Sequence, residues 1–252
     1  MRKLGALLSI LLWIFLLGAA IAPVSAARPQ ERAQDHLLRG SALRGSGDAD
    51  GAITEYRAAL RADPAFAEAR LCLANTLYDL GDVDTAIAEY RATLRFNPDL
   101  GEAHYRLGIA LRANGDVDGA AEEYRAALRL KPDFADAHQN LGLVFEEKGD
   151  LDGAIAEYRA ALHSNPGLAS VHNNLGLALD AKGDLDGAIT EYRAALRLNL
   201  SLLKTHLSLG IALEAKGRLN EALEEYRIAM LDPRLEQAKV KHDSLAAKLH
   251  KK

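Results

Sequence analysis

The side chains best suited to metal or proton chemistry are histidines that recur at a fixed spacing. His104, His138, His172 and His206 are 34 residues apart, and His36 lies two such steps before His104. Ligands of one metal ion must converge closely, because each bond is about 2 Å long. Equivalent positions on packed helices lie about 8–10 Å apart. The spacing therefore favours a packing role, and the open alternative is proton sensing by several partly buried rings that titrate near about pH 6.

The chain holds a single cysteine, Cys72, which excludes an internal disulfide framework and a multi-cysteine metal site. A catalytic thiol needs an activating neighbour, and no histidine or second cysteine stands near Cys72 in the sequence. We also find no phosphate-binding loop, His-Glu-x-x-His motif or nucleophile elbow. The sequence thus predicts no catalytic residue, no metal site and no cofactor. An enzyme with a site built between repeats is the least favoured alternative.

The elements that position these side chains form a repeat. The tripeptide Glu-Tyr-Arg occurs six times at intervals of 34 residues, centred on Tyr56, Tyr90, Tyr124, Tyr158, Tyr192 and Tyr226. A fixed period of this length indicates an array of repeats. The predicted units are 33–66, 67–100, 101–134, 135–168, 169–202 and 203–236.

Each unit predicts two helices. Leu175 and Gly176 follow His172 by three and four residues, and Leu179 follows Leu175 by four. These spacings place the side chains on one face of a first helix. Gly183 is suited to the left-handed conformation that ends a helix. Asp186 is predicted to cap the second helix, which buries the alanine and tyrosine positions of the unit. Each hairpin then buries its apolar face against its neighbours.

This pattern resembles the tetratricopeptide repeat family over residues 33–236. The resemblance rests on Leu107, Gly108, Ala120, Tyr124, Ala127 and Pro132 in the third unit and on their counterparts elsewhere. It implies an all-α, right-handed α-α superhelix (solenoid) of six helix-turn-helix repeats, and a non-catalytic protein-protein interaction scaffold. One departure is systematic, since histidine often stands where the family carries an aromatic residue. Residues 237–252 are predicted to form a basic capping helix.

The N-terminal segment differs from the repeats. Two basic residues are followed by an apolar run, 7–17, and by small residues that end at Ala26. This order predicts a secretory signal peptide, 1–26, followed by a short leader, 27–32. The alternative is an uncleaved membrane anchor formed by residues 4–22. Either interpretation predicts an exported protein, periplasmic or secreted or held at the membrane.

Charge is distributed unevenly. The net charge of the whole chain is −4. Without Arg2 and Lys3 it becomes −6, and because residues 234–252 carry +4, the remaining body carries about −10. An acidic body disfavours nucleic acid as a partner, since phosphates would be repelled. The basic tail and the N-terminal segment are the two places predicted to contact a membrane surface.

The resemblance implies a concave groove lined by the first helices, which takes up a peptide segment or a helix of a partner protein. The residues predicted to line its middle are Tyr105, Arg106, Gln139, Asn140, Leu143, Asn173, Asn174 and Leu177. Side-chain amides both donate and accept hydrogen bonds, and the aliphatic residues would receive apolar side chains. We therefore predict an adaptor of the cell envelope that binds a protein partner. The alternative is a glycan-binding or small-molecule-binding envelope protein, for which the same amides are suited.

Overall fold

The computed structural model describes residues 28–249. The predicted signal peptide or anchor, and the cleavage site after Ala26, lie outside these residues. Between residues 28 and 249, no helix combines the length and the apolar character needed to cross a bilayer.

The described part of the chain contains thirteen helices and no strand, so the predicted all-α fold of helical repeats is confirmed. The helices are α1 Pro29–Gly45, α2 Ala49–Ala62, α3 Ala67–Asp79, α4 Val83–Phe96, α5 Gly101–Ala113, α6 Val117–Leu130, α7 Ala135–Glu147, α8 Leu151–Ser164, α9 Ala169–Ala181, α10 Leu185–Leu198, α11 Leu203–Ala215, α12 Leu219–Ala229 and α13 Glu236–Leu249.

The helices form two compact units, which divide between Phe96 and Asn97. In the first unit, α1 pairs with α2 and α3 pairs with α4, and the two hairpins pack through α2 and α3. In the second unit, α5 to α12 form four hairpins, each packed against the next, and α13 packs against α12. All the residues predicted to line the groove belong to the second unit.

The buried layer of each hairpin is built on its tyrosine. The six repeated tyrosines are at most 1% exposed. Each central ring occupies the space that a glycine leaves on the first helix of the same hairpin, as Tyr158 does beside Gly142. The glycine thus admits a ring from the second helix, which is how the small residue of the first helix allows close packing.

The turn between the two helices of a hairpin corrects one prediction. Gly183 has a φ of +84°, as its predicted left-handed role requires. The chain then enters α10 at once, and the Asp184 carboxylate accepts a hydrogen bond from the Gly187 N–H at 2.9 Å. Asp184 is therefore the cap, and the assignment of that role to Asp186 is wrong. The Asp186 carboxylate instead accepts from Lys216 Nζ at 2.9 Å.

The first helix begins earlier than the sequence suggested. α1 starts at Pro29, inside the segment 27–32 that was assigned to a leader. Proline suits the first helical position, where its missing N–H is not needed. The Arg28 N–H also donates to Glu31 Oε2 at 2.9 Å, as part of a capping box. These local contacts extend the helix beyond the repeat period.

Consecutive hairpins of the second unit are also joined on their surface. A lysine in the turn of one hairpin contacts an aspartate on the second helix of the hairpin before it. We call these pairs the lysine–aspartate ladder, and they are Lys148–Asp118, Lys182–Asp152 and Lys216–Asp186. The aspartates are largely exposed, so the ladder records a repeated register and adds little to the strength of the core.

α13 occupies the predicted capping segment and packs on the last hairpin. Ala238 is 0% and Leu245 is 1% exposed. Lys241 Nζ donates to Glu214 Oε2 on α11 at 3.1 Å, and the Tyr226 hydroxyl donates to the same oxygen at 2.7 Å. At least one charged group of the basic tail, that of Lys241, is therefore used in a contact within the protein.

Candidate partner-binding surface

The eight predicted groove residues lie on the first helices α5, α7 and α9 of three successive hairpins. Arg106 is exposed, and Leu177 is 41% exposed. The other six are partly buried, and they are Tyr105, Gln139, Asn140, Leu143, Asn173 and Asn174. We call these eight residues the amide face.

Tyr105 and Asn140 connect two adjacent hairpins across the amide face. Asn140 Nδ2 donates to the Tyr105 hydroxyl at 3.3 Å and to the Asp136 carbonyl on its own helix at 2.9 Å. The Tyr105 ring lies 4.7 Å from the Phe134 ring, centroid to centroid. Burial, with the nearby Asp136 carboxylate, raises the pKa of Tyr105 above its ordinary value. The hydroxyl therefore keeps its proton and can still donate one hydrogen bond.

Asn173 connects the next pair of hairpins. Its Oδ1 accepts from the Thr205 hydroxyl at 2.7 Å, and Thr205 is 2% exposed. Its Nδ2 donates to Asn174 Oδ1 over a long 3.4 Å. Within residues 28–249, the Asn174 amide nitrogen has no acceptor, so it remains able to donate to a bound group.

Arg106 lies at the margin of the amide face. Its Nε donates to Glu102 Oε1 at 2.7 Å, one turn earlier on α5. Its guanidinium carbon lies 5.8 Å from the centroid of the Tyr105 ring. The Arg106 and Glu102 side chains are both well exposed, so solvent screens this ion pair and it adds little stability.

The aliphatic residues predicted to receive apolar side chains of a partner differ in their exposure. Leu143 and Ile211 pack against the buried core of the second unit. Leu177, at the same position of its own repeat, is the one large apolar side chain of the amide face that is clearly exposed. The aliphatic character of this position is therefore explained in part by the core, and Leu177 is the best placed to meet a partner.

A cavity of about 440 Å³ opens beside Asn173 and Asn174. Its other lining residues come from the start of α9, from the turn before α11 and the start of α11, and from the segment before α13. They include Ser170, Ser201, Lys204, Thr205, Asp232 and Arg234. The Arg234 side chain binds Asp232 through two contacts of 2.9 Å. Sequence reasoning missed Lys204, Thr205 and Arg234. Arg234 stands at the position where the first four units carry proline, and no sequence signal placed it beside the two asparagines.

The in-register histidines do not contact one another. Each binds a glutamate on the second helix of its own hairpin, as His138 Nδ1 does with Glu157 Oε2 at 2.6 Å. Within residues 28–249, no cluster of histidine, cysteine, aspartate or glutamate is arranged to hold a metal ion. Cys72 is partly buried, and burial, followed by the nearby Glu68 carboxylate, raises the pKa of its thiol. A raised thiol pKa lowers the fraction of reactive thiolate.

Models of the tetratricopeptide repeat match residues 37–101, 105–169 and 169–201, which together exceed half of the chain. A search of the curated proteins found no match.

Several solved structures are similar in fold. The structure of MamA shares 32% sequence identity, covers 69% of this chain and 95% of its own, and has a TM-score of 0.62. PilF of Pseudomonas aeruginosa is 19% identical over 87% of this chain and 99% of its own, with a TM-score of 0.73. YrrB, described as a protein with an unusual peptide-binding site, is 21% identical over 73% of this chain and 95% of its own, with a TM-score of 0.65.

Proposed function

Because this chain belongs to the tetratricopeptide repeat family, we propose that it is a non-catalytic adaptor of the cell envelope. Its ligand is an extended segment of a partner protein, bound on the amide face of the second unit. The family's fold is a protein-interaction scaffold, and the peptide-binding site named for YrrB is a precedent on the same fold. The step from fold to ligand rests on the chemistry of the face itself.

The observation that carries the proposal is the unused hydrogen-bonding capacity of Asn174 and Tyr105. The Asn174 amide has a free donor, and the Tyr105 hydroxyl has a proton to give. An extended peptide presents a carbonyl and an N–H at every residue, so it needs partners at regular intervals. The first helices α5 and α9 supply these two donors, with α7 between them, and Leu177 offers an apolar contact next to the amides.

Recovery of the partner from the native envelope fraction tests this function. The full chain would be immobilised beside a variant that carries Asn174→Ala, and the retained proteins identified by mass spectrometry. We expect at least one protein to be retained by the wild type and depleted on the variant. Retention that is equal on both would remove the amide face from the proposal.

A glycan or small polar molecule is the second candidate ligand. The cavity of about 440 Å³ supports it, since ligand pockets commonly measure about 300–1,000 Å³. Hydroxyl and amide groups from Ser170, Asn173, Asn174 and Thr205 line its wall. Titration of the protein with envelope oligosaccharides, followed by calorimetry, would show heat that is lost in Ser170→Ala if this candidate is right.

We further propose that the adaptor works outside the cytoplasm. This rests on the charge and apolar pattern of residues 1–26. Anionic membrane surfaces attract basic segments, and the tail after residue 234 is basic. Contact of that tail with a membrane surface is accordingly part of the proposal, and vesicle sedimentation with and without anionic lipid would measure it.

A further inference from the structure

In most hairpins, a histidine on the first helix contacts both the second helix and the turn that precedes the first helix. His138 Nδ1 lies 2.6 Å from Glu157 Oε2 on α8, the second helix of the same hairpin. His138 Nε2 lies 3.0 Å from the carbonyl oxygen of Pro132, in the turn that leads into α7. The ring therefore joins its own helix to the helix that follows and to the turn that precedes it. We call this arrangement a clamp.

The same clamp recurs along the chain. The glutamate contact measures 2.5–2.6 Å in all five cases, between His36 and Glu55, His104 and Glu123, His138 and Glu157, His172 and Glu191, and His206 and Glu225. The carbonyl contact measures 3.0–3.3 Å for His104, His138, His172 and His206. These four histidines form the complete histidine clamps, and all belong to the second unit.

Both partners of a clamp are acceptors. A carboxylate and a backbone carbonyl each need an N–H. A neutral imidazole carries only one N–H, so its other nitrogen would present a lone pair to an oxygen. Only the protonated ring, which has two N–H groups, satisfies both partners at once.

The second repeat shows what the position requires. Arg70 stands where the other repeats have histidine, and its guanidinium makes the same two contacts. Nη1 donates to Glu89 Oε2 at 2.8 Å, and Nη2 donates to the Pro64 carbonyl at 2.9 Å. Arginine is always charged and has donors only. A permanent cation with two donors can therefore replace histidine in the clamp.

From this equivalence we infer that the four complete histidine clamps are proton-dependent contacts that stabilise the second unit. Protonated rings hold each first helix to the preceding turn and to its own second helix. Loss of the protons removes one contact from every clamp in the same pH range. Because the first helices carry the amide face, the same protons govern how firmly that face is held.

The direction of the effect follows from the partners. Within residues 28–249, the charged groups in contact with the rings are the glutamates of the second helices, and the turns contribute uncharged carbonyls. Both partners accept hydrogen bonds, so each clamp is complete while its ring is protonated at low pH and loses one contact when the ring gives up a proton as the pH rises. Histidine in general changes its charge between about pH 5 and 8, and this is the range in which we would examine the protein.

Replacement of the four histidines by arginine tests the inference on the full chain. We would measure the midpoint of thermal unfolding from pH 5 to 8 for the wild type and for the variant with His104→Arg, His138→Arg, His172→Arg and His206→Arg. We expect the wild-type midpoint to fall by several degrees more than that of the variant. An equal fall in both proteins would overturn the inference.

Two measurements do not depend on the folding of that variant. Arg70→His is the informative single exchange, because it replaces a permanently charged clamp with one that can lose its proton. We expect Arg70→His to steepen the pH dependence of the thermal unfolding midpoint of the first unit. An unchanged slope would count against the inference. In the wild type, ¹⁵N shifts of the ring nitrogens would report protonation directly. The fall in the thermal midpoint should coincide with the loss of a proton from the clamp rings, and a fall without that loss would overturn the inference.

Discussion

A β-carbon on Gly142 would lie 2.5 Å from Cε1 of Tyr158. The contact joins the first and second helices of one hairpin, and real β-carbons do not approach a ring carbon so closely. The Tyr158 side chain is 0% exposed and belongs to the buried core of the second unit. A substitution at Gly142 therefore directly disturbs the contact between the two helices of this hairpin.

We expect Gly142→Ala to destabilise the second unit by about 1–3 kcal/mol, the usual cost of overpacking. The loss should begin in α7 and α8 and reach neighbouring hairpins before distant ones. Denaturant unfolding and hydrogen exchange resolved by segment would measure both effects. Gly101→Ala is the matched control, because a β-carbon there meets Leu130 Cβ at an ordinary 3.6 Å. Equal stability of the two variants would contradict this packing assignment.

The amide face makes a prediction about binding. Asn140→Ala combined with Asn174→Ala should weaken binding of the recovered partner about tenfold or more, if each amide contact contributes about 0.5–1.5 kcal/mol. Asn140 also bonds to Tyr105, so a small loss of stability accompanies the change. Asn174→Ala alone is the cleaner test, since its described contact is long. Exposed Asn114→Ala serves as the control. Unchanged affinity of a folded double variant would move the binding surface elsewhere.

Glu214 predicts how α13 responds to acid. Burial opposes ionisation of Glu214, but hydrogen bonds from Tyr226 and Lys241 outweigh it and lower the pKa of Glu214 below the ordinary 4.5. A carboxylate with a lowered pKa in the folded state stabilises that state above about pH 4.5. The stabilisation is lost as the pH falls through the lowered value.

The corresponding variant is Glu214→Gln. It should expose the amides of α13 to faster hydrogen exchange at pH 7, while unfolding by denaturant at pH 3 should no longer distinguish it from the wild type. Glu224→Gln is the control, because Glu224 pairs with Arg227 on an exposed surface, where ion pairs contribute little. A difference of the same size at both pH values would show that Glu214 acts through its shape and not its charge.

Export makes a prediction that needs no structure. If residues 1–26 are a cleaved signal, the mature protein begins at Ala27 and is recovered in soluble form outside the cytoplasm. N-terminal sequencing of the protein from its native host measures this. A first residue of Met1 or Arg2 on a protein extracted only with detergent would favour the anchor of residues 4–22.

The repeat and its core were predictable because they depend on local spacing. The period of the tyrosines, including Tyr158, and the small residue at Gly142 fix which faces meet. The exposure of Leu143 was harder to predict, because its position lies at the border between the core and the predicted groove. Hydrophobic spacing places a residue on a face and does not measure how far a neighbouring helix covers it.

The clamp was missed although a signal was present. In all six repeats, a glutamate follows the clamp histidine, or Arg70 in the second repeat, by nineteen residues, as Glu157 follows His138. Sequence reasoning asked whether histidines could meet one another, which helix spacing excludes. The actual contact crosses a hairpin, and its distance is set by how two helices pack. The two contacts of Arg70 could likewise be recognised only with the turn carbonyl in place.

The lysine–aspartate ladder bears on how such a chain can change in length. The hairpin of residues 135–168 offers Lys148 to the hairpin before it and Asp152 to the one after it. A tandem copy of this segment would present both charges in the same register, so the lysine–aspartate pairs on either side of it would be kept. Asn220 stands where the next aspartate would be. The lysine of a hairpin added after α12 would therefore have no aspartate to pair with. The ladder thus favours growth by internal duplication over addition at its carboxyl end.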